Sequence, residues 1–146
     1  MTGPESENQN ENGTASTRPT MLSVREVSRT FGSGDTAVQA LQNVSFDVTA
    51  GTMVALVGRS GSGKTTLLNV VGGLDRPDSG QVDIDGTEVT ALSEDGLSAL
   101  RRDTVSYIFQ TFGLIPVLSA AENVGVPMRM NKTPVEERER RVALLL

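Results

Sequence analysis

Gly58-Arg59-Ser60-Gly61-Ser62-Gly63-Lys64-Thr65 is the stretch that decides the fold of this chain. It follows the apolar run Met53-Val54-Ala55-Leu56-Val57 and opens onto Thr66-Leu67-Leu68, a helix-like continuation. A G-x-x-x-x-G-K-[ST] pattern between a strand and a helix is a phosphate-binding loop. Its glycines turn backbone N–H groups inward around phosphate oxygens, its lysine reaches the β/γ-phosphates, and its threonine hydroxyl ligates Mg²⁺. A helix starting near Gly63 adds its positive dipole end to the same anion site. The loop therefore predicts nucleotide binding, with Gly58, Ser60, Gly61, Ser62, Gly63, Lys64, Thr65 and Thr66 as the contacts.

Outward from the loop, Met53 to Val57 is apolar on both faces, which predicts a central parallel strand. Upstream, Leu22, Val24 and Val27 lead as a strand into Phe31 and a Gly32-Ser33-Gly34-Asp35 turn, and Val44, Phe46 and Val48 alternate as a half-buried strand ending at Ala50-Gly51. Downstream, the helix after the loop carries Leu67, Leu68, Val71 and Leu74 near a 3.6-residue period, with Gly72-Gly73 as its stop. Gln81 to Val89 alternates around Asp85-Gly86, a hairpin signal. Ser93 caps a helix with Glu94 and Asp95 in its first turn, Leu97 and Leu100 on its buried face and Arg101-Arg102 at its end. Val105 to Phe109 reads as a strand delivering Gln110 to its exit. Thr133-Pro134-Val135-Glu136 reads as a capping box with proline at the first helical position, and Glu136–Arg140 and Glu137–Arg141 are spaced as favourable pairs.

The bulk numbers set limits. A chain of 146 residues suffices for one domain with a real core. A net charge of −5 argues against nucleic acid as a partner, because phosphate-tracking proteins carry a basic stripe and this chain has only short pairs such as Arg101-Arg102 and Arg140-Arg141. Without cysteine there are no disulfides or thiolate metal sites, and without histidine no imidazole base. The apolar runs are far shorter than the ~20 residues of a membrane-spanning helix. Residues 1–20 are polar, lack aromatics and hold three glutamates against Arg18, which predicts a disordered tail.

The order of these elements resembles the ATP-binding subunit of ATP-binding cassette (ABC) transporters. Phe31, in Arg29-Thr30-Phe31-Gly32, stands where that family places an aromatic residue that stacks on adenine; on composition alone it could equally be a core aromatic. Ala40-Leu41-Gln42-Asn43-Val44-Ser45-Phe46 is similar to the family's second strand, and Gly80 to Gly86 to its hairpin. Tyr107-Ile108-Phe109-Gln110 resembles the Q-loop, whose glutamine touches Mg²⁺ and the attacking water. Gly72-Gly73-Leu74-Asp75, Leu100-Arg101-Arg102, Phe109 to Pro116 and Ala121-Glu122-Asn123-Val124 are similar to the macrolide-efflux and lipoprotein-release type. Departures are small: Thr65 for the commoner serine, Ile115 for leucine, and Ser106-Tyr107 where glycine and phenylalanine are frequent.

The resemblance implies an α/β fold, a P-loop NTPase of the ABC ATPase type with a mixed sheet around the phosphate-binding loop and an α-helical subdomain beginning after Pro116. It implies ATP and Mg²⁺ as cofactors, Lys64 and Gln110 as the catalytic contribution, and Thr65 and Gln110 as metal contacts. The family's signature loop, its Asp-Glu strand and its histidine switch would lie beyond Leu146. Residues 21–146 are thus expected to be an amino-terminal part of the ATP-binding domain, inactive in hydrolysis by itself. The implied parent is an ATPase that works as a homodimer on the inner face of the cell membrane and docks a membrane-spanning permease through the loop after Gln110. There Phe112, Leu114 and Ile115 form an apolar cluster that could be core or docking surface. A soluble cassette of DNA repair or translation would need coiled-coil heptads or a second cassette, and neither occurs here. A catalytically silent nucleotide-binding or interaction fragment is the alternative.

Overall fold

The computed structural model describes residues 18–111 and 113–146, so the predicted tail, apart from its last three residues, and Phe112 of the apolar cluster lie outside the described residues. The described chain divides into two compact units, one through Ala91 and one from Leu92.

The first unit is built on a four-stranded sheet of order β2-β1-β3-β4, with β1 Thr20–Phe31, β2 Val38–Thr49, β3 Ser79–Ile84 and β4 Thr87–Glu88. All three ladders are antiparallel. β1, the longest central strand, has a β-bulge: Val24 faces Phe46 and Val27 faces Val44, three steps on one strand against two on the other. The bulge passes through Glu26 at φ 48°. It is the reason Val24 and Val27, three apart, are both completely buried, where strict alternation would place them on opposite faces. Asp85 and Gly86, both at positive φ, make the two-residue turn between β3 and β4, as the Asp-Gly pair predicts.

Helix α1, Lys64–Val71, buries Leu67 and Val70, which join Val24, Val27, Leu41, Val82, Ile84 and Val89 in the core. Removing each such side chain from water contributes about 1.5–3 kcal/mol. The periodicity reading had Leu68 and Leu74 on the buried face. Leu68 is exposed because Leu67 and Val70, three apart, share the stripe that faces inward, and Leu74, also exposed, lies beyond the end of the helix. Gly72 ends the helix, its N–H donating to the Leu68 carbonyl, and Gly73 turns the chain at φ 69°.

Two expected strands do not pair within the described residues. Met53–Val57 runs without a ladder, with Met53 and Val57 almost wholly exposed, and Val105–Phe109 likewise, with Ile108 fully exposed. A parallel central strand exists only through neighbours on both sides. Among the described residues no strand pairs with either segment.

The second unit holds α2 Glu94–Asp103, α3 Ala120–Met130 and α4 Val135–Leu145. Ser93 caps α2, accepting from the Gly96 N–H at 3.3 Å, and Leu97 and Leu100 are buried as expected. At α4 the expected capping box is not made: Pro134 occupies the cap position in an extended conformation and no side chain caps the helix. Its ring fixes φ but offers no acceptor, and Thr133 stands one residue too early to serve the first turn. The capping box occurs instead at α3. There the Ser119 hydroxyl accepts from the Glu122 N–H at 3.3 Å, and the Glu122 carboxylate accepts from the Ser119 N–H at 2.8 Å. The Ser119 hydroxyl, which also donates to the Glu122 carboxylate at 2.7 Å, and with it the Ser119 N–H, hold that carboxyl below the usual carboxylate range. The Glu137–Arg141 pair closes at 3.4 Å. No helix among the described residues is long and apolar enough to cross a membrane.

Candidate nucleotide-binding site

The loop between Val57 and α1 is shaped by glycines at positive φ. Gly63 is the N-cap of α1 at φ 82°, and a Cβ there would collide with the Ala40 carbonyl oxygen of β2 and press on Leu41. Only glycine allows both the left-handed turn and the close approach of loop to strand. The first intrahelical bond runs from the Leu67 N–H to the Gly63 carbonyl at 2.8 Å. The N–H groups of Lys64, Thr65 and Thr66 therefore precede the helical ladder and belong to the positive end of its dipole. The Lys64 ammonium folds over the loop and donates to the Gly58 and Arg59 carbonyls at 2.8 Å each and to the Ser62 hydroxyl at 3.3 Å.

A cleft of about 500 Å³ opens over this loop. It is lined by Ser60, Gly61, Ser62, Gly63, Lys64, Thr65 and Thr66 on one side and by Phe31, Val38, Gln39 and Ala40 on the other. Eight residues expected from sequence to meet one ligand, separated by 28 positions between Phe31 and the nearest of the others, Ser60, thus share one cavity. Gly58 lines an adjoining cleft of about 440 Å³ with Ser62, Gly63 and Lys64. Gln110 stands in the second unit, exposed, in a bend at the end of the extended segment 105–109.

Val38, Gln39 and Ala40 are lining residues that motif reading misses. Their signal is the hairpin register, which sets Val38 opposite Phe31. Arg29 is a second omission. Its guanidinium carbon lies 4.8 Å from the centre of the Phe31 ring, and its nitrogens reach Asp75 and Asp78.

The arrangement suits a polyphosphate joined to a flat apolar group. One end of the cleft offers an ammonium, helix-start N–H groups and small hydroxyls; the other offers a half-exposed aromatic ring. No carboxylate lines either cleft. No cluster of three or more acidic or metal-binding side chains occurs among the described residues. The side-chain hydroxyls lining the cleft, those of Ser60, Ser62, Thr65 and Thr66, are hard oxygen donors of the kind Mg²⁺ takes.

Comparison with known proteins agrees with this geometry. The chain is 44% identical over 126 residues to the macrolide export ATP-binding/permease protein MacB of Brucella abortus (strain 2308), covering 86% of this chain and 20% of that protein. It is 43% identical over 126 residues to the protein of that name from Escherichia coli. The chain spans about a fifth of the length of the curated relatives it matches. Among solved structures, the ATP-binding cassette MJ0796, as a dimer in a post-hydrolysis state bound to ADP and Pi, superposes with a TM-score of 0.78 at 39% identity, over 84% of this chain and 54% of that one. The fold is therefore that of the ABC-type P-loop NTPases. Residues 41–146 match the family described as ABC transporter, and the chain belongs to that family.

Proposed function

We propose that this chain is the phosphate-loop part of the ATP-binding subunit of an ABC transporter, binding ATP so that a membrane-spanning partner can be driven through a transport cycle. The observation that carries the reading is the single cleft shared by Phe31 and the loop from Ser60 to Thr66. Phe31 takes the adenine ring. The N–H groups at the start of α1 and the Lys64 ammonium take the β- and γ-phosphates, where they stabilise the charge that develops as the γ-phosphoryl leaves. Thr65 is the residue of this cleft that would hold Mg²⁺. Such an ion would supply neutralisation of phosphate charge.

Lys64 has to exchange its carbonyl partners, Gly58 and Arg59, for phosphate oxygens on binding. Bonds from the ammonium to neutral carbonyls are traded for bonds to anionic phosphate oxygens, and the attraction of opposite charges favours the exchange. No carboxylate lines the cleft, so the residues described here supply ATP binding without a base to orient water. Hydrolysis is proposed for the whole protein and not for these 146 residues alone. The dimeric state of the cassette MJ0796 supports a homodimer as the working unit, and the export proteins among the relatives support a place on the inner face of the cell membrane. The loop after Gln110 is proposed to meet the permease, with Leu114, Ile115 and Val117 exposed there.

Titration with a fluorescent ATP analogue tests the reading. Lys64→Ala is expected to lower affinity at least tenfold, because the charge at the β/γ-phosphates is replaced by nothing. Unchanged affinity would make the loop a structural turn.

A further inference from the structure

The Phe31 ring does not stand alone at the end of β1. Arg29, two residues earlier, lays its guanidinium over it at 4.8 Å. That guanidinium is fixed by three charge-assisted bonds: Nε to Asp75 Oδ2 at 3.0 Å, Nη2 to Asp75 Oδ1 at 2.9 Å and Nη1 to Asp78 Oδ1 at 2.9 Å. The bidentate fork to Asp75 sets the plane of the group as well as its position. Asp78 also accepts from the Thr30 N–H at 2.7 Å, and its own N–H donates to the Ser28 carbonyl at 2.9 Å, so the acid is sewn to the backbone on both sides of Arg29.

These acids lie just beyond α1. Asp75 follows Gly72-Gly73-Leu74, and its N–H donates to the Asn69 carbonyl within α1. The first turn of the same helix carries the end of the phosphate loop, Lys64 and Thr65. The clamp therefore links the strand end that carries the ring to the helix whose other end carries the phosphates' N–H donors. Arg29 does not line the cleft, while Phe31 does. The arginine side chain is only 24% exposed, which keeps the cation–ring contact from being fully screened.

We propose that Arg29, held by Asp75 and Asp78, is a positioning residue for nucleobase recognition: it backs the Phe31 ring and fixes the distance from that ring to the phosphate loop. The proposal rests on the reading of Phe31 as the platform for the base. It assigns Arg29 an effect on base-bearing ligands and none on bare phosphate chains. A cation held on the ring also draws electron density from it, which strengthens stacking with the electron-rich adenine.

The experiment compares ATP with inorganic tripolyphosphate, each displacing a fluorescent ATP analogue from the complete chain, in wild type, Phe31→Ala, Arg29→Gln and the double variant. Arg29→Gln is expected to weaken ATP roughly three- to tenfold, the size of a partly shielded cation–ring contact, and to leave tripolyphosphate within about twofold. In the Phe31→Ala background it should add nothing. Arg29→Lys, which keeps the charge but loses the fork, gives the same pattern at smaller size and serves if the glutamine variant does not fold. Equal losses for both ligands, no loss for either, or a full loss in the Phe31→Ala background would overturn the proposal. If Phe31→Ala leaves the ratio of the two affinities unchanged, the base reading falls and this proposal with it. A ratio that moves in Phe31→Ala and not in Arg29→Gln removes the positioning role alone.

Discussion

Gly61 and Gly63 lie two residues apart in one loop with nearly the same backbone, φ 78° and φ 82°, yet alanine at the two positions should have different consequences. At Gly61 a Cβ meets nothing within 4 Å, so the substitution carries only the cost of a left-handed residue, about 1–2 kcal/mol. At Gly63 the same cost applies, and the new methyl also collides with the Ala40 carbonyl and approaches Leu41 Cδ2 at 3.2 Å. The carbonyl cannot retreat freely. Its neighbours Gln39 and Leu41 are paired with Thr30 and Arg29 of β1, so either the ladder or the loop must shift. Overpacking of this kind costs about 1–3 kcal/mol more, for a total of roughly 2–5 kcal/mol. Urea unfolding followed by circular dichroism measures the difference. With a slope of about 1–2 kcal/mol per molar, the two midpoints should separate by roughly 1 M. Gly63→Ala should also weaken ATP, because the loop moves away from β2. Equal midpoints for the two variants would refute the claim that contact with β2 holds the loop in place.

Charged substitutions Leu114→Glu and Ile115→Glu should reduce co-purification with the membrane-spanning partner while nucleotide binding persists; loss of folding along with it would make the cluster core. Purified chain should release no Lys64-dependent phosphate above buffer in the presence of Mg²⁺ and ATP, and steady turnover abolished by Lys64→Ala would place a base among these residues. The Arg29 hydrogen bond, helped by the Thr30 N–H, holds the Asp78 carboxyl below the usual carboxylate range. Its folded pKa is thus lower than its unfolded one, so its contribution to stability is complete above about pH 4 and is lost as pH falls through the folded value. Urea midpoints measured from pH 6 to pH 3 should fall less steeply in Asp78→Asn; an identical acid limb would remove Asp78 from the clamp.

What was legible in the sequence was local. The phosphate loop, the Asp85-Gly86 turn and the Ser93 cap each fit within a few residues, and each has a chemistry that fixes its backbone: a required positive φ, or a hydroxyl placed for an orphan N–H. What required partners distant in sequence was not legible. The apolar run Met53–Val57 has a strand's composition, but a strand is made by its neighbours, and none among the described residues pairs with it. The bulge at Glu26 shifts which valines are buried, and nothing in the alternation of Leu22, Val24 and Val27 announces it. Arg29 meets Asp75 across 46 residues, beyond the reach of any spacing rule. At α4 the sequence offers a cap motif that the backbone declines, while Ser119 and Glu122, the pair that does close a box, carry the same pattern in a less conspicuous setting.

The central claim is that one cleft binds ATP through the loop at one end and Phe31 at the other. Amide and aromatic chemical shifts recorded during titration with Mg²⁺ and ATP locate the ligand directly. The account predicts the largest changes at Ser60 to Thr66 and at the Phe31 ring, with those at Phe31 absent when tripolyphosphate replaces ATP. Changes confined to other surfaces, such as the groove of about 400 Å³ lined by Gly125, Arg138 and Val142 between α3 and α4, would contradict it.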